Sequence, residues 1–192
     1  MRILKADEYK RMPWRNGHGE TAQIAIEPAA ATLNDFDWRV SMARIDDNGP
    51  FSTFPHTDRT LAILRGDGVH LSIDDNAPVE FTRHSEPIAF SGDVAADASL
   101  IGGTVTDLNV MTRRRHFEHS MRRMRIAGRV ELEVQAPLAL LVCADQAVSV
   151  EVNAQSARLD PLDTLFLQEA PATMWVTSDS LALVYLIEIH AA

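Results

Sequence analysis

Val69-His70-Leu71-Ser72-Ile73-Asp74 changes from apolar to polar at every step. Successive side chains of an extended chain point to opposite faces, so this alternation predicts a β-strand with one buried and one wet face. The same pattern recurs in Val130-Glu131-Leu132-Glu133-Val134-Gln135 and in Val148-Ser149-Val150-Glu151-Val152-Asn153. Phe36, Trp38, Val40 and Met42 form one face of a further strand and leave Arg39, Ser41 and Ala43 on the other. Leu138 to Ala144 and Leu181 to Ile189 are nearly continuous apolar runs, as expected of strands covered on both sides. Turn signals punctuate the strands at Asn48-Gly49-Pro50, Gly66-Asp67-Gly68, Ser91-Gly92-Asp93 and Asp160-Pro161. Many short strands with few helical signals predict an all-β sandwich or barrel.

The 192 residues suffice for one domain or two small ones. A hydrophobic fraction of 46% and a charged fraction of 23% are ordinary for globular chains. No apolar run reaches the roughly 20 residues a spanning helix needs, so no membrane role is expected. The net charge of −9 argues against a nucleic-acid partner. The single cysteine, Cys143, has no internal disulfide partner, and Met1 to Lys10 has no apolar secretory core, so the cytoplasm is expected. Seven of the eighteen basic residues fall between Arg113 and Arg129. A boundary is expected there, giving a first unit over 1–112 that carries a ligand pocket and a second over 113–192. The basic stretch itself is expected to balance acidic neighbours or an oligomer surface, such as that of a homodimer.

Four segments hold residues able to do chemistry. In Trp14-Arg15-Asn16-Gly17-His18-Gly19-Glu20-Thr21 the glycines permit a tight loop, and two readings stand: a turn feeding a strand, or a pocket lip lined by Trp14 and Asn16. Arg39 with Ser41 faces either an interior cavity or solvent. Asp107 and Asn109 share a strand face, where Asp107 pairs with an arginine and Asn109 reads a polar group, or both simply end a strand.

The fourth segment runs from Gly49 through His56 and Arg59 to Gly68, and its texture resembles the first cupin motif, which supplies two histidines and a glutamate to a metal. Counting back from Gly66 puts Arg59 at the glutamate position and Ser52/Phe54 or Thr53/Pro55 at the histidines. Counting forward from Gly49 puts Pro55 and Thr57 at the histidines and Leu61 or Ala62 at the glutamate. Neither register keeps a ligand set, and His56 alone cannot hold a metal. No metal and no cofactor are therefore expected. A guanidinium in a barrel mouth suits a carboxylate instead.

Taken together, Met12-Pro13-Trp14-Arg15-Asn16-Gly17-His18-Gly19-Glu20-Thr21, Phe36-Asp37-Trp38-Arg39-Val40-Ser41-Met42-Ala43, Gly49-Pro50-Phe51-Ser52-Thr53-Phe54-Pro55 with Asp58-Arg59, and Asp107-Leu108-Asn109-Val110-Met111-Thr112-Arg113 resemble the HutD/Ves family. One departure is His18, where a small residue is expected. The resemblance implies a double-stranded β-helix with two cupin-like barrels, a bicupin, without the cupin metal set. HutD-type members are associated with regulation of histidine utilisation, Ves-type members with environmental stress.

These readings converge on a binding protein for a small carboxylate such as urocanate or N-formimino-glutamate. Arg59 takes the carboxylate and Trp14 closes the pocket. Asn16, His56 and Asn109 read polar groups, and Arg39 adds a second anion contact or pairs with Asp107. The alternatives are a cupin-type isomerase or hydrolase using Glu20, His56 or Asp107 as acid or base, and a protein-binding regulator using the basic stretch.

Overall fold

The structure is a computed structural model that describes residues 1–14, 17–168 and 171–192. All regular structure among them is strand: β1 (Arg2–Leu4), β2 (Lys10–Pro13), β3 (Gly19–Glu27), β4 (Trp38–Ile45), β5 (Gly49–Phe51), β6 (Thr57–Arg65), β7 (Val69–Ile73), β8 (Val79–Phe81), β9 (Ile88–Ser91), β10 (Ala96–Leu100), β11 (Val105–Arg113), β12 (Phe117–Val134), β13 (Leu138–Cys143), β14 (Val148–Val152), β15 (Gln155–Leu159), β16 (Thr164–Leu167) and β17 (Ala172–Ala191). The expected all-β class is what the chain adopts. Among the described residues no helix is long and apolar enough to cross a membrane.

Two compact units result. One comprises Lys10–Glu118 with Ala192; the other comprises Met1–Tyr9 with His119–Ala191. The division thus falls after Glu118 rather than after residue 112, and the first nine residues join the later unit. A sequence scan misses this because β1 finds its partner, β16, some 160 residues downstream: Ile3 faces Leu165. The Lys5 ammonium also bonds Asp163 at 2.6 Å. The basic stretch is mostly strand. Arg114, in the turn between β11 and β12, donates to Asp58, Asp93, Ser91 and the Thr57 carbonyl, pinning that turn to the ends of β6 and β9.

The 10–118 unit has a six-stranded sheet, β2-β3-β4-β11-β6-β9, and a four-stranded sheet, β5-β10-β7-β8. Leu61 and Ile63 from the larger sheet pack with Val69, Leu71, Phe81 and Ala98 from the smaller one. The odd-numbered side chains of β6 therefore face the interior. In register with them are the odd-numbered side chains of β11 and β4. Both faces of β4, β6 and β11 are buried over most of their length. The alternation that predicts one wet face thus hides a second buried one.

The 119–191 unit is a single seven-stranded sheet, β1-β16-β13-β17-β14-β15 with β12 also on β17. Its core takes Leu132, Leu141, Val150, Leu159, Leu165, Val176 and Val184 from six different strands, so the sheet curls around one apolar centre. Cys143 is part of that core and carries no disulfide.

Candidate functional site

The interior of the 10–118 unit is polar at one end, and strand register explains how. Met111 on β11 sits between Arg39 on β4 and Arg59 on β6. Two residues along, Asn109 lies between Ser41 and Leu61, and two further, Asp107 lies between Ala43 and Ile63. The register shift of β11 against β6 falls between Thr106 and Asp107, beyond these three pairs. A second shift on β3, between Gln23 and Ala25, puts Gln23 opposite Ser41. Period-2 geometry thus gathers Arg39, Ser41, Arg59, Asp107, Asn109 and Gln23 on one surface.

These groups are removed from water. Arg39 and Arg59 are each 4% exposed, Asp107 1% and Asn109 6%. Arg59 Nε donates to Asn109 Oδ1 at 3.2 Å, and Nη1 reaches the Ser52 carbonyl at 3.5 Å. The Arg59 guanidinium lies 4.7 Å from the Phe51 ring centre and 5.5 Å from that of Phe90, two cation–π contacts that orient it. Arg39 Nε donates to Gln23 Oε1 at 3.3 Å. Asp107 Oδ1 accepts the Ala43 N–H at 3.0 Å, while Oδ2 is buried and has no hydrogen-bond partner among the described residues.

Burial dominates the electrostatics. It lowers both guanidinium pKa values to about 10, although Asp107 pulls each back up. Arg39 lowers that of Arg59 further. Burial raises the Asp107 carboxyl to about 6, against the pull of Arg59, the Ala43 N–H and Arg39. The three charges sense one another, yet no ion pair among the described residues includes any of them. Two guanidiniums against one carboxylate leave an excess positive charge. A divalent metal does not fit this set, and among the described residues no group of three or more His, Cys, Asp or Glu is placed to hold one.

Of the residues expected from the sequence, the structure brings Arg39, Arg59, Asp107 and Asn109 together. Trp14 stands at the Asp107 end: its indole N–H donates to Thr21 Oγ1 at 2.9 Å, and Thr21 pairs with Ala43, the neighbour of Asp107. A Cβ at Gly19 would strike the Arg44 carbonyl and the Trp14 ring, so glycine is what lets Trp14 lie there. Asn16 lies outside the described residues. His56 is not brought to the cluster: it is exposed on the turn before β6, and its N–H donates to Asp93 Oδ1 at 2.8 Å. His18 is exposed, with Nδ1 3.4 Å from Asp47 Oδ2. Sequence reasoning missed Gln23, Phe51 and Phe90 as partners of the arginines. Phe51 lies in a quoted motif, but nothing in the sequence places Phe90 beside Arg59, because that pairing is made by strand register.

The 119–191 unit has an open cleft of about 510 Å³, lined by Glu133, Glu151, Asn153, Thr173 and Trp175 among others. Arg129 covers the Trp175 ring at 4.5 Å and approaches Glu151 at 3.3 Å, so its own side chains already satisfy one another.

With this geometry in hand, comparison with known proteins is informative. Residues 6–184 match the HutD family. The chain belongs to that family. A Pseudomonas putida relative, described as an uncharacterised 21.2 kDa protein in the hutC 3′ region, is 32% identical over 88% of this chain and 87% of its own. Protein Ves of Citrobacter koseri is 39% identical over 64% of this chain and 63% of its own. Among solved structures, a conserved Pseudomonas aeruginosa PAO1 protein of unknown function superposes with a TM-score of 0.91 at 30% identity, covering 98% of both chains. HutD from Pseudomonas fluorescens SBW25 gives 0.83 at 27% identity, over 100% of this chain and 98% of its own. A cupin 2 conserved barrel domain protein from Leptotrichia buccalis gives 0.58 at 8% identity, over 98% and 100%. That last likeness is one of fold alone, and the cupin barrel is this chain's fold.

Proposed function

We propose that the 10–118 unit is a binding site for a small carboxylate, and that this HutD-family protein serves regulation of histidine utilisation by sensing urocanate or N-formimino-glutamate. The carrying observation is the buried pair Arg39 and Arg59, which shares one carboxylate and forms no ion pair with it among the described residues. Buried guanidiniums without a counter-charge are costly to the fold, and an anion offsets that cost. Arg59, held by cation–π contacts to Phe51 and Phe90, carries the planar fork that matches a carboxylate. Family context supports the ligand class: the P. putida relative is described by its hutC-region position, and the P. fluorescens HutD structure is of a formate condition, formate being the smallest carboxylate.

A thermal-shift and calorimetry panel of urocanate, N-formimino-glutamate, histidine, glutamate and formate tests the reading. A ligand at about 100 times its Kd stabilises by about 2.7 kcal/mol. At this chain length that raises Tm by roughly 5–10 °C. Arg59→Ala should cut the shift to about half or less. Undiminished binding to Arg59→Ala would exclude this site.

Turnover is a second reading, and one observation favours it. Of Glu20, His56 and Asp107, only Asp107 is buried beside the arginines, with a pKa raised to about 6 that suits a general base near neutrality. Glu20 instead pairs with Arg11 at 2.9 Å. Consumption of a panel member by wild type and not by Asp107→Asn would establish it.

A further inference from the structure

Resting on the carboxylate reading, we infer that Asp107 is the specificity-determining residue of the site and that the ligand is a monocarboxylate carrying a neutral hydrogen-bond donor, such as an amide or ring N–H, which Asp107 Oδ2 accepts; of the two ligands named above, urocanate fits this class and N-formimino-glutamate, a dicarboxylate with a cationic formimino group, does not.

Oδ1 of Asp107 takes the Ala43 N–H, and among the described residues Oδ2 has no hydrogen-bond partner although the side chain is buried. Buried carboxylate oxygens are almost always satisfied, and a lone one is expensive. Asp107 belongs to the same inner face as Asn109 and Met111, with Arg39 and Arg59 flanking Met111. Both arginines lean along the barrel towards Asp107: Arg59 spends its Nε on Asn109 and Arg39 on Gln23, each a step nearer Asp107 than Met111 is. The guanidiniums and the carboxylate act on each other's charge without forming an ion pair among the described residues. A molecule with its carboxylate on the guanidiniums and a donor on Oδ2 would join the two ends.

Charge narrows the class. Two guanidiniums and one carboxylate sum to +1, so one ligand carboxylate brings the site to neutrality. A dicarboxylate would leave it at −1, and a cationic donor would leave it at +1. A second ligand carboxylate could not serve Oδ2 in any case, because an ionised carboxylate only accepts. The group facing Asp107 is therefore a neutral donor.

An amide and its isosteric ester separate this inference from the reading beneath it. N-acetylglycine and acetoxyacetate have the same shape and charge and differ by N–H against O; acetate is the plain carboxylate. Calorimetric titration of the full-length protein at pH 7.5 should show N-acetylglycine bound at least tenfold more tightly than acetoxyacetate. Asp107→Asn presents an N–H in place of the acceptor and should erase or reverse that ratio, whereas Arg59→Ala should weaken both acids alike. Equal binding of amide and ester by wild type overturns the inference, as does an unchanged ratio in Asp107→Asn. The wild-type ratio decides alone if Asp107→Asn does not fold. If wild type binds none of the three acids, the carboxylate reading itself fails.

Discussion

The two units of this chain fill their interiors differently. In the 119–191 unit the inner face is built from Leu132, Val134, Leu141, Val150, Leu165, Met174, Val176 and Val184, and the buried carboxylate on the same face of β17, Glu188, is satisfied by the Gln135 and Ala136 N–H groups and by Arg122. In the 10–118 unit the equivalent inner face of β4, β11 and β6 carries Arg39, Ser41, Arg59, Asp107 and Asn109 among its aliphatics. Stability does not require the second arrangement. Apolar replacements for buried ionic groups are often neutral or stabilising, so a buried cluster of charges with incomplete pairing points to use rather than to support. On the function proposed above, the difference separates a supporting unit from a binding unit.

Four experiments break or sharpen that contrast. The largest effect belongs to the apolar unit. Leu141 is fully buried, and Leu141→Ala should cost about 2–5 kcal/mol in denaturant unfolding, with ligand affinity unchanged while the protein is folded. Next, converting the polar interior to the other unit's chemistry with Arg39→Met, Arg59→Met, Asp107→Val and Asn109→Val should leave stability unchanged or raise it by about 1–4 kcal/mol, and abolish carboxylate binding. A large loss of stability would mean that the cluster supports the fold.

The third experiment uses pH. The Asp107 pKa is raised to about 6 in the folded protein and lies near 3.9 unfolded. Its favourable contribution is complete below about pH 4 and is lost as pH rises through 6. Wild type should therefore lose roughly 2–3 kcal/mol relative to Asp107→Asn between pH 4 and pH 7, read from paired melts. A constant difference would place Asp107 in a wetter setting. The smallest effect is expected at His56, which is exposed on its turn. His56→Ala should change stability by no more than about 0.5 kcal/mol and leave ligand affinity untouched.

Much of this contrast can be read from the sequence, and the unread parts have physical causes. Alternation at Val69–Asp74 and Val148–Asn153 matches β7 and β14 to within a residue, because period 2 is a local property of extended chain. The same alternation in β4 leaves Arg39 facing either a cavity or solvent. Whether the polar face of a strand is wet depends on what packs over it, and one strand's sequence does not contain that. Arg59 was legible because one of the two motif registers sets it where a metal-binding cupin carries an acid, and Asp107 and Asn109 because alternation puts them on one strand face. That Asp107 Oδ2 lacks a partner among the described residues was not legible, because counting hydrogen bonds needs every neighbour in place. His56 looked like a ligand from its residue type, yet a left-handed turn with φ of 63° carries it to the surface.

The most direct test of the central claim is calorimetric titration of urocanate and N-formimino-glutamate into wild type and Arg59→Ala. The account predicts one-to-one binding of at least one of them to wild type. Losing a charge-assisted contact worth about 1.5–3 kcal/mol should weaken it by about 10- to 150-fold in Arg59→Ala. Binding of equal strength in both proteins, or none to wild type, would contradict it.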